Sequence, residues 1–258
     1  MVDRGIMNRI DDLIRLYRIL DKLEACSDGK RFLAQLAPSG SLPRRGIYFF
    51  FEPGEVRTGS GHGPRLVRIG THALGAGARS TLHQRLRQHA GTTSGSGGNH
   101  RGSIFRLLVG EALIACGDCS PCPSWGVKGD IKKAAEALRV ERAALAAAEA
   151  PVEAAVSAYL GRLPFLWLSI EDEPGPGSLR GLIERNVIAL ASGLHEPVID
   201  PPSPSWLGLY SSRDKVRRSG LWNQRHVDEK YVANFLDLLE AAVERNADQS
   251  ALAVRRVL

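Results

Sequence analysis

The chain has 258 residues, of which 43% are hydrophobic and 24% charged, a composition typical of a soluble globular protein. Its 34 Lys and Arg residues outnumber its 28 Asp and Glu residues, and the excess is mostly arginine, whose planar guanidinium suits phosphate, so a polyanion such as nucleic acid is a reasonable partner. The sequence has no apolar run of about 18 residues, which argues against a membrane span. Residues 1–20 do not have the pattern of a secretory signal, and four cysteines do not make a disulfide scaffold. We therefore expect a cytoplasmic protein.

Residues 1–40 are predicted to form an N-terminal helical segment. Apolar side chains recur every three to four positions over residues 8–25, which predicts an amphipathic helix. A shorter helix is predicted over residues 29–37, and the Pro- and Gly-containing residues 38–46 end it.

A β-hairpin is predicted next. Residues 46–52, GIYFFFE, are too aromatic and too short for a helix, and residues 65–70, RLVRIG, alternate polar with apolar side chains. Glycines and prolines between them favour an antiparallel pair with a long loop. The first strand contains Tyr48, whose hydroxyl needs a hydrogen-bond partner if it is buried.

The middle of the chain is predicted to be mainly helical. A helix over residues 79–90 begins near an N-cap at Ser80 or Thr81, and a flexible Gly- and Ser-rich loop over residues 91–102 follows it. Further helical segments are expected over residues 103–115 and 130–161.

The Ala-rich segment over residues 130–161 carries one recurring apolar position. Leu138, Leu145 and Val152 lie seven residues apart, which suggests a single seam packed on a neighbouring helix. Pro151 is expected to kink this helix or to begin a second one.

The last part of the chain adds one strand and two helices. The strand is predicted over residues 164–172, the helices over 178–192 and about 228–245, and an irregular tail over 193–222. The complete order predicts an α+β fold, with a small three-stranded antiparallel sheet flanked by helices.

Four short sequences in this order resemble the GIY-YIG nuclease superfamily. They are G-I-Y at 46–48, R-I-G at 68–70, LHQRLRQH at 82–89 and, after the third strand, LIERNVIAL at 182–190. The resemblance covers about residues 44–200, which would form the catalytic domain, and residues 100–162 look like a helical insertion into it. Residues 201–258 would then be an irregular segment and a helix packed on this core.

The resemblance implies hydrolysis of DNA phosphodiester bonds with one divalent metal, Mg²⁺ or Mn²⁺, held by a glutamate. Such cleavage needs a nucleophilic water, a cation on the developing charge and help for the leaving oxygen. DNA is then the expected partner, no membrane is involved, and a homodimer is left open. An R-x-x-x-H helix and a large insertion favour a restriction or defence enzyme.

Two other classes of function remain open. One is a catalytically weak DNA-binding module on the same fold, suggested by departures from the family motifs at Arg68 and Asp200. The other is a protein without a nucleic-acid partner that shares only the hairpin, which would make the arginine bias accidental.

Tyr48 resembles the family's first tyrosine, the proposed base or water-positioning group. A free phenol has a pKa of about 10, so it needs nearby cations to act as a base, and Arg45, Arg68 and Arg85 are candidates. The alternative is a core tyrosine. Arg68 stands where the second motif usually has tyrosine, and it is either a surface residue of the strand or a guanidinium that holds the water or the phosphate.

Arg85 and His89 stand four residues apart and therefore share one helix face. Arg85 resembles the family's helix arginine, which would stabilise charge on the scissile phosphate. His89 is a candidate proton donor or second phosphate contact, and the alternative is a solvent-facing histidine.

Glu184 resembles the metal-binding glutamate of the helix after the third strand. It lies on a helix that is apolar on most sides, so its carboxylate needs a partner. That partner is either Arg180, one turn earlier, or a hydrated Mg²⁺, which needs only one or two carboxylates.

The family's final motif, a proline followed three residues later by asparagine, is altered here. Here Pro197 is followed three residues later by Asp200, a carboxylate in place of the amide. Asn223 is therefore the candidate to take the place of the motif asparagine, whereas Asn186 is expected to make a structural hydrogen bond.

Five arginines are candidate DNA contacts outside the catalytic groups. They are Arg45, Arg87, Arg101, Arg213 and Arg217. Trp206 and Trp222 flank the last two and are read either as aromatic platforms for bases or as anchors of the tail.

Three cysteines, Cys116, Cys119 and Cys122, lie close together in the sequence. They are read either as reduced loop residues or as a zinc site completed by Cys26 or His100, which would supply the fourth ligand.

Overall fold

A computed structural model describes residues 4–27, 29–36, 42–91 and 97–255, with side chains described between residues 8 and 248 of these ranges. The helices are α1 (Arg4–Cys26), α2 (Leu82–Ala90), α3 (Ile104–Ala115), α4 (Ile131–Leu138), α5 (Arg142–Gly161), α6 (Leu179–Ala191), α7 (Asp214–Ser219) and α8 (Phe235–Arg255). The strands are β1 (Arg31–Phe32), β2 (Gly46–Val56), β3 (Pro64–Gly70) and β4 (Pro164–Ser169). Most predicted elements are present with ends shifted by a few residues, and part of the predicted 91–102 loop, residues 92–96, lies outside the described residues.

The α+β prediction is confirmed, and the antiparallel sheet has four strands in the order β1-β4-β2-β3. The fourth strand, β1, lies where a helix was predicted over residues 29–37. Arg31 and Phe32 pair with Phe165 and Pro164 of β4, and one 3₁₀ turn follows. Pairing with the sheet edge therefore overrides the local helix propensity of this segment.

The sheet separates two apolar cores because successive side chains of β2 point to opposite faces. Ile47 and Phe49 belong to a core closed by α1, α6 and α8. Tyr48 and Phe50 belong to a second core closed by α2, α3 and α5. Tyr48 thus lies on the face covered by α2 and by the predicted insertion.

The predicted helix over residues 130–161 is broken at a different position from the one expected. The break follows α4, where Arg139 adopts a left-handed backbone with φ 55° and the amide of Val140 donates to the carbonyl of Ala135. The helix α5 continues through Pro151. Leu138 is exposed whereas Leu145 is buried, so the predicted single seam is also wrong.

The tail contains more secondary structure than predicted, and the last helix begins later than predicted. The segment 193–222 contains a 3₁₀ turn and α7, and the last helix begins at Phe235 rather than near residue 228. The preceding residues are held in another conformation, because Tyr231 donates to Asp12 and the amide of Val232 donates to Asn186. No helix in the described ranges is long and apolar enough to cross a membrane.

Candidate active site

The glycines of the two strand motifs are required by close packing. Strand pairing places Tyr48 opposite Gly70, and a β-carbon at Gly70 would overlap the tyrosine ring and hydroxyl. A β-carbon at Gly46 would likewise overlap the carbonyl oxygen of Leu168 on β4. The G-I-Y and R-I-G sequences therefore let the Tyr48 side chain lie across the neighbouring strand.

The hydroxyl of Tyr48 is fully buried and bonded to His89. Its oxygen lies 2.8 Å from Nε2 of His89, and Nδ1 of His89 lies 2.7 Å from Oγ of Ser103. Ser103 caps the N-terminus of α3 by accepting the amide N–H of Arg106. A chain of polar groups therefore runs from β2 through the last turn of α2 to the start of α3.

His89 is a neutral imidazole in this setting. Burial holds its pKa well below the ordinary histidine value, and the positive charges of Arg85, Arg68 and Arg106 act in the same direction. One ring nitrogen therefore carries a proton and the other accepts. The guanidinium beside the Tyr48 oxygen favours a tyrosine that presents a lone pair to Arg68 and its proton to Nε2.

Arg68 is buried, so its interpretation as a surface strand residue is wrong. Its guanidinium donates to the carbonyl of Trp222 and lies 5.3 Å from the centre of the Phe105 ring. Burial lowers the pKa of Arg68, and the neighbouring Tyr48 oxygen and Glu184 carboxylate oppose this effect. Its Nε atom is buried and has no hydrogen-bond partner among the described residues.

Glu184 faces the same region from α6. Its Oε1 accepts the amide N–H of Thr71 at 3.0 Å, directly after the R-I-G sequence. Burial raises the pKa of this carboxyl group, and the charge of Arg68 opposes the rise most strongly. Arg180 is not its partner, because Arg180 pairs with Asp172 and donates to the carbonyl of His72.

The surroundings of Glu184 fit a hydrated divalent cation. Within the described part of the chain, Glu184 accepts a hydrogen bond only from Thr71, which leaves Oε2 for another partner. A single hard oxygen ligand is sufficient for Mg²⁺, which keeps most of its waters. The described residues contain no group of three His, Cys, Asp or Glu side chains placed to hold a metal, so the cysteines at 116–122 do not form one.

A cleft of about 900 Å³ joins several of these groups. Arg68, Glu184 and Asn223 line it, together with residues of the segment 212–226. Asn223 is buried and bonds both to the amide and to the carbonyl of Ile69, at 3.2 and 2.9 Å. It thus fixes the edge of β3 beside Arg68.

The other candidates for the amide motif have structural partners elsewhere. Asp200 accepts the amides of Thr58, Gly59 and Ser60 in the β2–β3 loop. Asn186 accepts the amide of Val232, as the structural interpretation predicts.

Arg85 lines a second cleft of about 310 Å³, which shares Leu74 with the first. The two clefts, which meet at Leu74, are together called the groove; Glu184 of α6 lines one of them, and Arg85 and Gln88 of α2 line the other. Arg85 is partly exposed there and bonds to Oε1 of Gln88 and to the carbonyl of Gly102.

The predicted DNA-contacting arginines have different surroundings. Arg45 and Arg101 are engaged internally: Arg45 is buried and bonded to Asp172, and Arg101 makes two bonds to Glu149. Arg213 lines the larger cleft, and Arg87 is exposed on α2. Arg217 is tied to the carbonyl of Ser211.

Trp206 and Trp222 are buried core residues, with ring centres 5.2 Å apart. They therefore anchor the tail and are not exposed platforms for bases. Arg225 and His226 line the larger cleft and were missed by the sequence analysis, although they directly follow the candidate Asn223 in the sequence.

Comparison with known proteins gives one family match. Neither curated proteins nor solved structures give a match to the chain. A family model described as GIY-YIG domain matches residues 7–249, which includes most of α1 and of α8 as well as the motifs. The chain therefore belongs to the GIY-YIG nuclease family.

Proposed function

We propose that the protein is a DNA endonuclease that hydrolyses phosphodiester bonds in the larger cleft with Mg²⁺ or Mn²⁺. The observation that carries the proposal is the buried bond between Tyr48 and His89, next to Arg68 and Glu184. A buried phenol aimed at a neutral imidazole and flanked by a cation is a proton-transfer arrangement.

Tyr48 serves as the proton-accepting group of the site, and neutral His89 positions its hydroxyl. The Tyr48 proton is released to solvent, because the low pKa of His89 prevents it from taking this proton, and the Arg68 guanidinium together with the Nε2–H tautomer of His89 stabilises the phenolate that results. Arg68 lines the cleft whereas Tyr48 is fully buried. A bound phosphate draws the Arg68 guanidinium toward the cleft, so that the tyrosine oxygen reaches the attacking water.

Glu184 holds the metal, and Arg85 and Arg68 contact the phosphate. A bound divalent ion would supply positive charge to the phosphate and lower the pKa of a coordinated water. Asn223 positions Arg68 through its two bonds to Ile69.

We further propose a restriction or defence role. The support is the R-x-x-x-H helix and the inserted segment, which packs α5 against α2. Arg87 and Arg213 contact the DNA backbone from the surface, and Arg217 contributes beside them. Arg45 and Arg101 act indirectly, by holding the loops around the groove.

The alternative is a DNA-binding module with weak activity. It is favoured by Arg68, which occupies the usual tyrosine position and lies beside a fully buried Tyr48. In this case the groove binds DNA but the tyrosine never reaches a water.

Two measurements on the same preparations separate these functions. Supercoiled plasmid is incubated with the protein in Mg²⁺, in Mn²⁺ and in EDTA, and gel shifts are recorded at rising salt. An endonuclease produces nicked and linear plasmid only with metal. Salt-sensitive DNA binding without cutting supports the alternative, and neither binding nor cutting contradicts both.

A further inference from the structure

His226 lies at the candidate active site, and the proposed reaction assigns it no function. It lines the same cleft as Arg68, Glu184 and Asn223, three residues after Asn223, which is fixed to β3. Its positive charge is one of those that oppose the rise of the Glu184 pKa, so the two groups interact across the cleft.

The backbone at His226 has an unusual conformation. Its φ is 65°, and only Ala73 and Arg139 share a positive φ among the described non-glycine residues. A left-handed histidine is unfavourable and persists where the surroundings require it, which is common at functional sites. Here the turn directs a histidine into the cleft.

Glu229 orients the ring of His226. Its Oε1 lies 2.7 Å from Nδ1 of His226. Nε2 makes no hydrogen bond within the described part of the chain, and the side chain is 30% exposed. Nε2 is therefore available to a molecule in the cleft.

The reaction needs a proton donor that the other two histidines near the site do not provide. His89 has both ring nitrogens engaged and a pKa held well below the ordinary value by burial. His72 donates from Nδ1 to the carbonyl of Ser80, and burial lowers its pKa to about 4, so its Nε2 carries no proton at neutral pH.

We infer that His226 is a catalytic residue that donates the Nε2 proton to the leaving oxygen of the scissile phosphodiester; the inference rests on the proposed nuclease function. A water oxygen attacks phosphorus and gives its proton to the Tyr48 phenolate, which later releases it to solvent. The phosphorus–oxygen bond to the leaving sugar oxygen breaks, and that oxygen takes the proton of the His226 imidazolium. Solvent later returns a proton to His226.

Several charged groups face the cleft and act on His226. Glu184 and Arg68 line the cleft with His226, and Glu229 contacts its Nδ1 atom. The remaining charged groups lining the cleft are Arg213, Asp214, Lys215 and Arg225. Lys215 is paired with Asp228 and Arg213 with Glu111.

The test compares leaving groups. Cleavage rates are measured on an oligonucleotide with the natural leaving oxygen and on one with a bridging sulfur at the same bond, for the wild type, His226→Ala and His226→Gln. Thiolate leaves without a proton, so each variant is expected to be about 100-fold slower on oxygen but near wild-type rate on sulfur. His62→Ala, an exposed histidine of the β2–β3 loop, is the matched control and cuts both normally.

Equal slowing on both substrates, or no slowing, overturns the inference. A higher Mg²⁺ requirement in His226→Ala with restored rate at saturation also overturns it, because His226 would then bind the metal. The ¹⁵N signals of His226 are followed in EDTA as uncleaved DNA is added, and a shift at Nε2 that His62 lacks is expected. An unshifted signal contradicts contact with substrate, whereas absence of cutting by the wild type contradicts the proposed function itself.

Discussion

The hydroxyl of Tyr48 lies 2.8 Å from Nε2 of His89, and this bond joins the central strand of the sheet to the last turn of α2. The two residues come from separate motifs, 41 positions apart in the sequence. Their contact joins two separate motif resemblances in one buried polar pair.

Removal of the Tyr48 hydroxyl tests this pair. Tyr48→Phe keeps the ring packing, and we expect at least a 100-fold loss of cleavage rate if the hydroxyl handles a proton. Unpairing Nε2 of buried His89 costs about 1–3 kcal/mol of unfolding free energy. The matched control is Tyr159→Phe, whose hydroxyl bonds to Glu52; it should cut normally, and equal rates in both variants would return Tyr48 to a purely structural role.

Arg68 is expected to support Tyr48 by charge. Arg68→Ala should lose most activity, Arg68→Lys should retain part of it, and Arg68→Tyr should be partly tolerated. Without the cation the phenolate is harder to form, so the rise of rate with pH should move to higher pH in Arg68→Ala. The measurement is the pH–rate profile of plasmid cleavage, and an unchanged rate and profile would contradict the role.

The burial of neutral His89 predicts a pH dependence of stability. Its pKa is lowered in the folded state, so its contribution is complete above the unfolded value of about 6.5 and decreases as pH falls below it. The loss is about 1.4 kcal/mol per pH unit. Urea unfolding of the wild type and His89→Gln at pH 7, 6 and 5 should show a shallower slope in the variant, and parallel slopes would contradict a neutral His89.

The inserted segment is expected to hold His89 in place. Arg106 donates to the carbonyl of His89 at 2.9 Å and to the buried carboxylate of Glu153. Arg106→Met leaves that carboxylate without its main partner, which should cost about 3–5 kcal/mol of unfolding free energy. Adding Glu153→Gln should recover part of this stability by thermal unfolding, and additive losses would show that the two residues are not coupled.

The sequence predicts the parts of the structure that local patterns determine. The hairpin, the Thr81 cap of α2 and the positions of Tyr48, His89 and Glu184 follow from strand alternation, helix spacing and motif order. The motif positions also place His89 near Tyr48, although the sequence does not show that the two are bonded.

Other parts depend on contacts between distant segments. Strand β1 forms because β4 offers an edge, and α4 ends at Arg139 through a backbone turn that no Gly or Pro marks. Arg68 is buried and His226 lines the cleft because the segment after Trp206 packs there. No local sequence pattern predicts where that segment packs, because it lies far from the motifs in the sequence.

Glu184 carries a charge that the fold disfavours in the absence of metal. Its pKa is raised by burial, so the ionised group destabilises the folded state above its unfolded pKa. Glu184→Gln keeps an acceptor for Thr71 and should raise the Tm at pH 7, with the difference disappearing near pH 4. An unchanged Tm at pH 7 would contradict this electrostatic account.

The most direct test of the central claim is the initial rate of supercoiled plasmid cleavage in Mg²⁺ by the wild type and by Glu184→Gln, with exposed Glu244→Gln as the control. We expect the wild type and the control to cut at equal rates, and Glu184→Gln to bind DNA in Ca²⁺ or EDTA with unchanged affinity but not to cut. Cleavage by Glu184→Gln at the wild-type rate, or no metal-dependent cleavage by the wild type, would contradict a metal-dependent nuclease built on this carboxylate.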